Sequence, residues 1–460
     1  MIQQSTVTEG QRRVALGAST IAFTACFAVW TIFSIIGIRI QKDLGLNDTE
    51  FGLLVGTPIL TGAVSRLFIG ILADRFGGRR VMPLVMLTAA AAAFLLSFAR
   101  TYPQFLIAAL FMGVAGGSFS AGVAYVARWY PGERTGTALG IFGMGTLGAA
   151  ITNSASFLMV ALGWIAVARI WAVALAVVAV VYFLFTRDDP VVAASGKNAA
   201  GTSFAAQLAP LAKLQVWRFA IYYAFVFGAF VALALWLPRY YMGAYGLQVG
   251  IAGLLATAFS LPGSVFRAVG GWLSDRFGAR SVMYWTFGVS IVATFLLSYP
   301  TTRYIVQGID GPIEFTLAMG IVPFAMLTFV LGMFMSFGMA AVYKHIPVYY
   351  PDNVGSVGGL VGMIGGLGGF ALPIAFGAMA DLTGVWTSCF MLLFALVAGA
   401  MLWMHLAIRR MERRKLPELR GLPQLPEMEG LGIAVPAPAA PRPPVQATRP
   451  PFAAGLVAAE

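Results

Sequence analysis

Twelve times along its length this chain passes through a run of about twenty mostly apolar residues, the length of helix that crosses a bilayer core of about 30 Å. The runs begin near Gly17, Phe51, Val81, Gln104, Thr135 and Gly163. After a polar interval they resume near Trp217, Gly250, Val282, Glu314, Val354 and Val385. Inside hydrocarbon every backbone N–H and C=O must be satisfied within the protein, which makes runs of this length helices. Composition agrees: 59% of the 460 residues are hydrophobic and only 10% charged, where a soluble domain has about a quarter charged. The fold class is an all-α membrane protein of twelve transmembrane helices.

The polar interval, residues 187–216, carries Asp188, Asp189, Lys197 and Lys213 among Ala, Ser and Gly. It reads as a linker between two six-helix halves, 17–186 and 217–408. Residues 1–16 form a polar N-terminal segment, and 409–460 a Pro- and Ala-rich tail expected to be disordered. The first apolar run lacks a small-residue cleavage site and is read as a retained helix. Lys and Arg gather on one side of the runs, as at Arg12, Arg13, Arg75, Arg79, Arg80, Arg128, Arg134, Arg276, Arg280, Arg409 and Arg410. The other side holds Arg39, Lys42, Arg100, Arg169, Arg239 and Arg303. By the positive-inside rule both termini and the linker are expected to be cytoplasmic, in a multi-pass membrane protein. The net charge of +12 is thus spread between helices, so nucleic acid is not an expected partner. Cys26 and Cys389 lie far apart in apolar runs and indicate neither a disulfide framework nor a metal site.

The halves share a repeat. GAVSRLFIGILADRFGGRR, residues 62–80, returns as GSVFRAVGGWLSDRFGARS, residues 263–281, at a constant offset of 201. Arg267 answers to Arg66 and Asp275 to Asp74. Gly45-Leu46 and Gly246-Leu247 keep the same offset, as do Val81-Met82 and Val282-Met283. Parallel halves joined by a cytoplasmic linker are one arrangement that builds alternating-access carriers.

Arg66 stands eight residues before Asp74, about 12 Å along a helix. If Asp74 marks the membrane surface, Arg66 lies near mid-bilayer, where an arginine costs about 2.5 to 3.5 kcal/mol on the insertion scale. Such a residue needs a partner, and the apolar runs offer no carboxylate. Two guanidiniums facing one cavity repel each other, and an anion relieves that; the planar fork of Arg suits an oxyanion. The competing reading is that each Arg bonds backbone carbonyls or snorkels to the interface. The charged turns, with Asp74, Arg75, Gly77 and Arg79 in one half and Asp275, Arg276, Gly278 and Arg280 in the other, lie at the surface. They are expected to cap helix ends and to pair across the interface between halves.

Two helices are glycine-rich. The fifth reads TGTALGIFGMGTLGAAITN, with Gly140, Gly143, Gly145 and Gly148, and the eleventh VGGLVGMIGGLGGFALPIAFG. Gly358, Gly362, Gly365, Gly366 and Gly369 fall on one face, a bare stripe that another backbone can approach. Packing alone accounts for such stripes; they also bring backbone near a small substrate. Tyr223 and Phe119 are candidate cavity walls. Lys344 and His345, near the end of the tenth helix, are candidates for coupling anion movement to protons, or else reach the cytoplasmic surface. No nucleophile–base constellation appears, and His345 and His405 stand far apart, so no enzymatic activity and no cofactor are expected.

The turn Gly-x-Leu-Ala/Ser-Asp-Arg-Phe-Gly-x-Arg, at 70–79 and 271–280, resembles the signature of the major facilitator superfamily. With Arg66, Arg267 and the two glycine-rich helices, the chain resembles the nitrate/nitrite porter (NarK-like) family. FVFGAFVALALWLPRYY and VYKHIPVYYPDNVGSVGGLVGMIGGLGGF look like its nitrate/proton symporter branch. The resemblance implies that Arg66 and Arg267 clasp the anion, that Tyr223 and Phe119 line the cavity, and that Gly140–Gly148 and Gly358–Gly369 are the nitrate signatures. Thr146 departs from the Asn many members carry, which leaves nitrate against nitrite open. The implied function is nitrate import, with nitrite as a further substrate, by nitrate/proton symport in a monomer. The alternatives are nitrate/nitrite exchange and, from another class, an anion sensor derived from a transporter.

Overall fold

The computed structural model describes residues 8–130, 134–188, 208–350 and 354–415. Helix α1 (Glu9–Leu44) starts ahead of its apolar run because Thr8 and Gln11 form a capping box, each side chain bonding the other's backbone N–H. Asn47 and Glu50 do the same for α2 (Asp48–Phe76). There follow α3 (Gly78–Leu96) and α4 (Tyr102–Trp129). The fifth run, α5, is three pieces: Thr135–Gly143, a 3-10 turn Met144–Leu147, and Gly148–Ser154. Next come α6 (Ser156–Phe185), α7 (Leu214–Tyr245), α8 (Val249–Val265 with Arg267–Phe277) and α9 (Ala279–Leu297). A hairpin of β1 (Thr302–Gly308) and β2 (Gly311–Leu317) leads to α10 (Ile321–Tyr349), α11 (Val354–Thr383) and α12 (Ser388–Lys415).

Among the described residues ten helices are long and apolar enough to cross a membrane, and the two parts of α8, bent by 42°, make an eleventh. No single piece of α5 is long enough. Its winding tightens where Gly145 and Gly148 press on α1: a Cβ on Gly148 would lie 2.2 Å from the Thr24 carbonyl oxygen.

Three expected boundaries move. The sixth helix starts at Ser156, with Gly163 (φ 79°) as a kink inside it and not as its beginning. The tenth starts at Ile321, because Glu314 belongs to β2 and faces Ile305 across the hairpin ladder. The first starts at Glu9. The expected linker falls largely on 189–207, and the expected tail on 416–460 with its start in α12; both stretches lie outside the described residues.

The repeat is visible in the backbone. Gly45 and Gly246 end α1 and α7 with the same left-handed φ of 66°. Gly77 and Gly278, at φ 83° and 81°, turn the chain between α2 and α3 and between α8 and α9. A side chain is strained in that region, which fixes Gly at all four positions. Burial repeats as well. The most apolar stretches of α1 and α7 are 83% and 89% buried, while those of α6 and α12 are only 28% buried. Helices α1 and α7 are therefore central, and α6 and α12 face lipid.

Between the halves, α2 lies along α11 and α5 along α8. Contact is closest at the end of the bundle away from the chain's first and last described residues, called here the far end. There a Cβ on Gly52 would lie 2.2 Å from the Pro373 carbonyl oxygen, and one on Gly377 2.1 Å from that of Asp48. Arg239 of α7 pairs with Asp48 at 3.0 Å. Asp381 of α11 accepts from the N–H groups of Asp48 (3.2 Å) and Thr49 (2.8 Å), an anion at the N-terminus of α2. At the opposite, near end, an added Cβ on Gly140 or Gly359 would have nothing within 4 Å among the described residues.

Candidate anion-binding site

Arg66 sits on α2 with 2% of its surface exposed. Its Nη1 donates to the Gly362 carbonyl of α11 (2.9 Å) and its Nε to the Gly116 carbonyl of α4 (3.4 Å). Three rings surround the guanidinium carbon, Phe227 at 4.9 Å, Phe119 at 5.1 Å and Trp30 at 5.8 Å. Trp30 is itself held by a bond from its Nε1 to the Pro58 carbonyl, 2.8 Å. Arg66 Nη2 is buried without a hydrogen-bond partner among the described residues.

Arg267 is the first residue after the break in α8, where Phe266 (φ −71°, ψ 0°) interrupts the helix. It is 5% exposed and lies against α5 at Gly143, where a Cβ would stand 2.9 Å from its Nε. Its guanidinium carbon is 5.8 Å from the centre of Phe119, so one ring serves both arginines. Arg267 Nη1 is likewise buried and unpartnered among the described residues.

Helix α7 supplies the phenol. A π-turn over Ala224–Ala229 stacks Tyr223 on Phe227 (5.0 Å, 11°), and such turns gather at functional sites. The Tyr223 hydroxyl is buried and makes no hydrogen bond of ordinary geometry. Tyr343 of α10 meets Tyr223 edge-on at 5.1 Å and donates its own proton to the Gly358 carbonyl, 3.2 Å. The glycine stripe of α11 makes room for all of this. A Cβ on Gly362 would lie 2.7 Å from the Tyr343 hydroxyl and 3.5 Å from Arg66 Nη1. One on Gly365 would overlap the Tyr223 ring at 2.6 Å, and one on Gly366 would come within 3.6 Å of Arg66 Nη1.

Among the described residues, the charged and titratable groups beside Arg66 are Arg267, Tyr223 and Tyr343, with no carboxylate among them. Two cations therefore share a low-dielectric space in which donors outnumber acceptors. Unsatisfied buried donors cost about 1–3 kcal/mol each, more when charged. A small planar anion accepting from both forks and from a phenol removes that cost and the mutual repulsion together.

The superfamily model described as "Major Facilitator Superfamily" matches residues 18–304 and 240–459. A Thermus thermophilus protein named "probable nitrate/nitrite antiporter NarK1" is 42% identical over 422 residues, 88% of this chain and 94% of its own. The chain belongs to the Major Facilitator Superfamily, in its nitrate/nitrite porter family. The "nitrite extrusion protein" of Bacillus subtilis is similar at 26% identity, covering 86% of this porter and 95% of that protein. In fold, the porter is similar to a crystal structure of a bacterial homologue of the human lysosomal transporter Spinster. The TM-score is 0.64 at 17% identity, covering 88% of this chain and 98% of the other.

Several expected site residues do not join the arginines. Gly145 packs on Phe23 of α1, where a Cβ would be 2.3 Å from the ring. Thr146 is buried, but its hydroxyl donates to the Gly143 carbonyl of its own helix at 3.3 Å. Lys344 points away from the site, into an exposed ion pair with Asp275. Of the two readings of Lys344, this placement favours the one in which it reaches the surface: α10 turns Tyr343 inward, and its neighbour faces outward. His345 is buried against Phe219 (ring centroids 5.6 Å apart, 18°).

Among the described pairs made by the surface turns, Arg79 and Arg80 approach Asp188 just past the end of α6 (3.8 and 3.6 Å), and Asp275 pairs with Lys344; neither is a pairing across the interface between halves. Arg75 lies over Phe76, and Arg276 over Trp272 and Phe277. The side chain of Asp74 lies outside the described residues. Trp30, Phe227 and Tyr343 were not singled out from the sequence as site residues. Aromatic residues in apolar helices usually pack, and only proximity to Arg66 separates these three from the rest.

Proposed function

We propose that this porter carries nitrate and nitrite across a bacterial inner membrane by alternating access, with Arg66 and Arg267 clasping the anion between the halves. The observation that carries the reading is the convergence of three buried donors, Arg66 Nη2, Arg267 Nη1 and the Tyr223 hydroxyl, none with an acceptor of its own among the described residues. The names of the similar proteins supply the anion's identity. The closed far end and the open space at Gly140 and Gly359 support entry from the near end in this conformation. The basic residues at the near end support its being cytoplasmic.

The geometry favours exchange over proton symport. A symporter needs a titrating group that feels the anion, and the site offers two arginines and two phenols. Of the two residues that pointed to symport in the sequence, Lys344 is held by Asp275 at the surface, and His345 is buried against Phe219. In an exchanger the bound anion itself is required to let the halves rock, because the empty site leaves two cations facing each other. Labelled nitrate uptake into proteoliposomes tests this. Vesicles loaded with nitrite are expected to accumulate nitrate, and vesicles without internal anion are not, whatever the pH gradient. Uptake driven by a pH gradient alone sinks exchange and reinstates symport, with the buried His345 as the first residue to substitute.

A further inference from the structure

Helix α7 carries a proline, Pro238, inside its apolar run. A proline has no N–H, so the carbonyl four residues earlier, that of Ala234, loses its partner within the helix. In hydrocarbon such a carbonyl has no water to turn to, and it is destabilising unless another group donates to it. The donor comes from the other half. Asn153, on the last piece of α5, is 1% exposed, and its Nδ2 donates to the Ala234 carbonyl at 3.1 Å. Its Oδ1 accepts from the Ser34 hydroxyl of α1 at 2.8 Å, which holds the amide with its NH2 toward α7. One side chain thus ties α1 and α5 to α7.

The place of this bond along α7 decides what it can do. Ala234 lies between Tyr223 of the anion site and Arg239 of the far-end pair. Two further bonds cross between the halves at α8, from Ser156 to the Gly250 carbonyl (3.0 Å) and between the hydroxyls of Ser154 and Thr257 (3.1 Å). The second is replaceable, because Ser154 also donates to Ala150 of its own helix (2.7 Å) and Thr257 to Gly253 of its own (3.1 Å). Pro238 denies the Ala234 carbonyl that alternative. We propose that Asn153 is the far-side latch of the transport cycle. It closes the path between the anion site and the far end by satisfying the carbonyl that Pro238 leaves open, and water takes its place when that path opens. The inference rests on alternating access and adds to it a positioning residue. The closed state needs the amide and the open state does not, so the latch acts on one state and sets the balance between the two.

Spin labels on Lys42→Cys of α1 and Leu382→Cys of α11, both exposed at the far end, test this in the full-length porter by pulsed electron paramagnetic resonance. The buried Cys26 and Cys389 are replaced by alanine in the parent. Asn153→Ala is expected to raise the ratio of the longer, far-open distance to the shorter one by roughly tenfold without nitrate, the scale of one buried carbonyl left unsatisfied. In a Pro238→Ala background, position 238 regains its N–H and satisfies the carbonyl within α7. There Asn153→Ala is expected to lose most of its effect. Ser154→Ala, which gives up only the replaceable bond, is expected to leave the ratio close to that of the parent. An equal shift from Ser154→Ala, or a shift at Asn153 that Pro238→Ala leaves undiminished, overturns the latch. So does a longer distance that the parent shows and Asn153→Ala does not enrich. A single distance in every sample, with nitrate and without, removes alternating access itself and the latch with it.

Discussion

Arg66 and Arg267 occupy the same place in two copies of one motif, yet the structure treats them differently. Arg66 rides an unbroken helix, donates to two carbonyls and is walled by three rings. Arg267 follows a 42° break, makes no hydrogen bond to the protein among the described residues, and leans on one ring and a bare glycine. Each is buried, and each keeps a free donor directed at shared space. One half thus holds a fixed arginine that already bridges the halves through Gly362, and the other holds an arginine with no hydrogen-bond partner among the described residues, which on the proposed function finds one in the anion. The lesson is that a duplicated residue type does not imply a duplicated role; the backbone around it sets how much of its bonding capacity is already used.

The largest effect that tests this contrast is Arg66→Lys. Lysine loses the two-carbonyl fork and the stacked plane, and charge-assisted hydrogen bonds are worth about 1.5–3 kcal/mol, so anion affinity is expected to fall roughly 10- to 100-fold. Arg267→Lys gives up only contacts made to the anion, and a loss of about tenfold, at the low end of that range, is expected in nitrate binding by calorimetry. Equal losses would erase the asymmetry between the two copies.

Next comes a pair of glycines. Gly362→Ala puts a methyl 2.7 Å from the Tyr343 hydroxyl, beside an arginine that is already bonded; Gly143→Ala presses on Arg267 at 2.9 Å, where the side chain is free to give. Overpacking costs about 1–3 kcal/mol where neighbours cannot yield. Transport KM is therefore expected to rise more for Gly362→Ala than for Gly143→Ala, and the reverse order contradicts a mobile Arg267.

The smallest effect on affinity is expected at the far end. Asp381→Asn weakens the anion that caps α2, an interaction worth about 0.3–1 kcal/mol at an exposed helix N-terminus. Amide hydrogen exchange at Asp48–Phe51 is expected to quicken, with nitrate affinity unchanged within about twofold, the scale set by that energy. A large loss of affinity would mean that the far-end contact shapes the site directly.

Much of this was legible in the chain. The repeat, the two arginines and the stripe of α11 are local signals, because charge in an apolar run and glycine at helical spacing constrain a sequence wherever they occur; Phe119 and Tyr223 stood out through the resemblance to the porter family. Lys344 was not legible. It directly follows Tyr343, about 100° around a helix, and that rotation divides a buried phenol from an exposed ion pair. The hairpin between α9 and α10 was hidden for a related reason: its apolar residues, Ile313, Phe315 and Leu317, run on toward those of α10, and only cross-strand pairing with Val306, Tyr304 and Thr302 sets them apart.

By itself the sequence determined that the chain crosses a membrane in two related halves and carries a cation at the same depth in each. Hydrocarbon leaves a long apolar run no other fold, and an arginine there demands a partner wherever the helix goes. Only the tertiary structure decided which donors remain free. That depends on which carbonyls, rings and glycines five other helices bring to the same place, and on a single break in α8, after which Arg267 has no hydrogen-bond partner among the described residues.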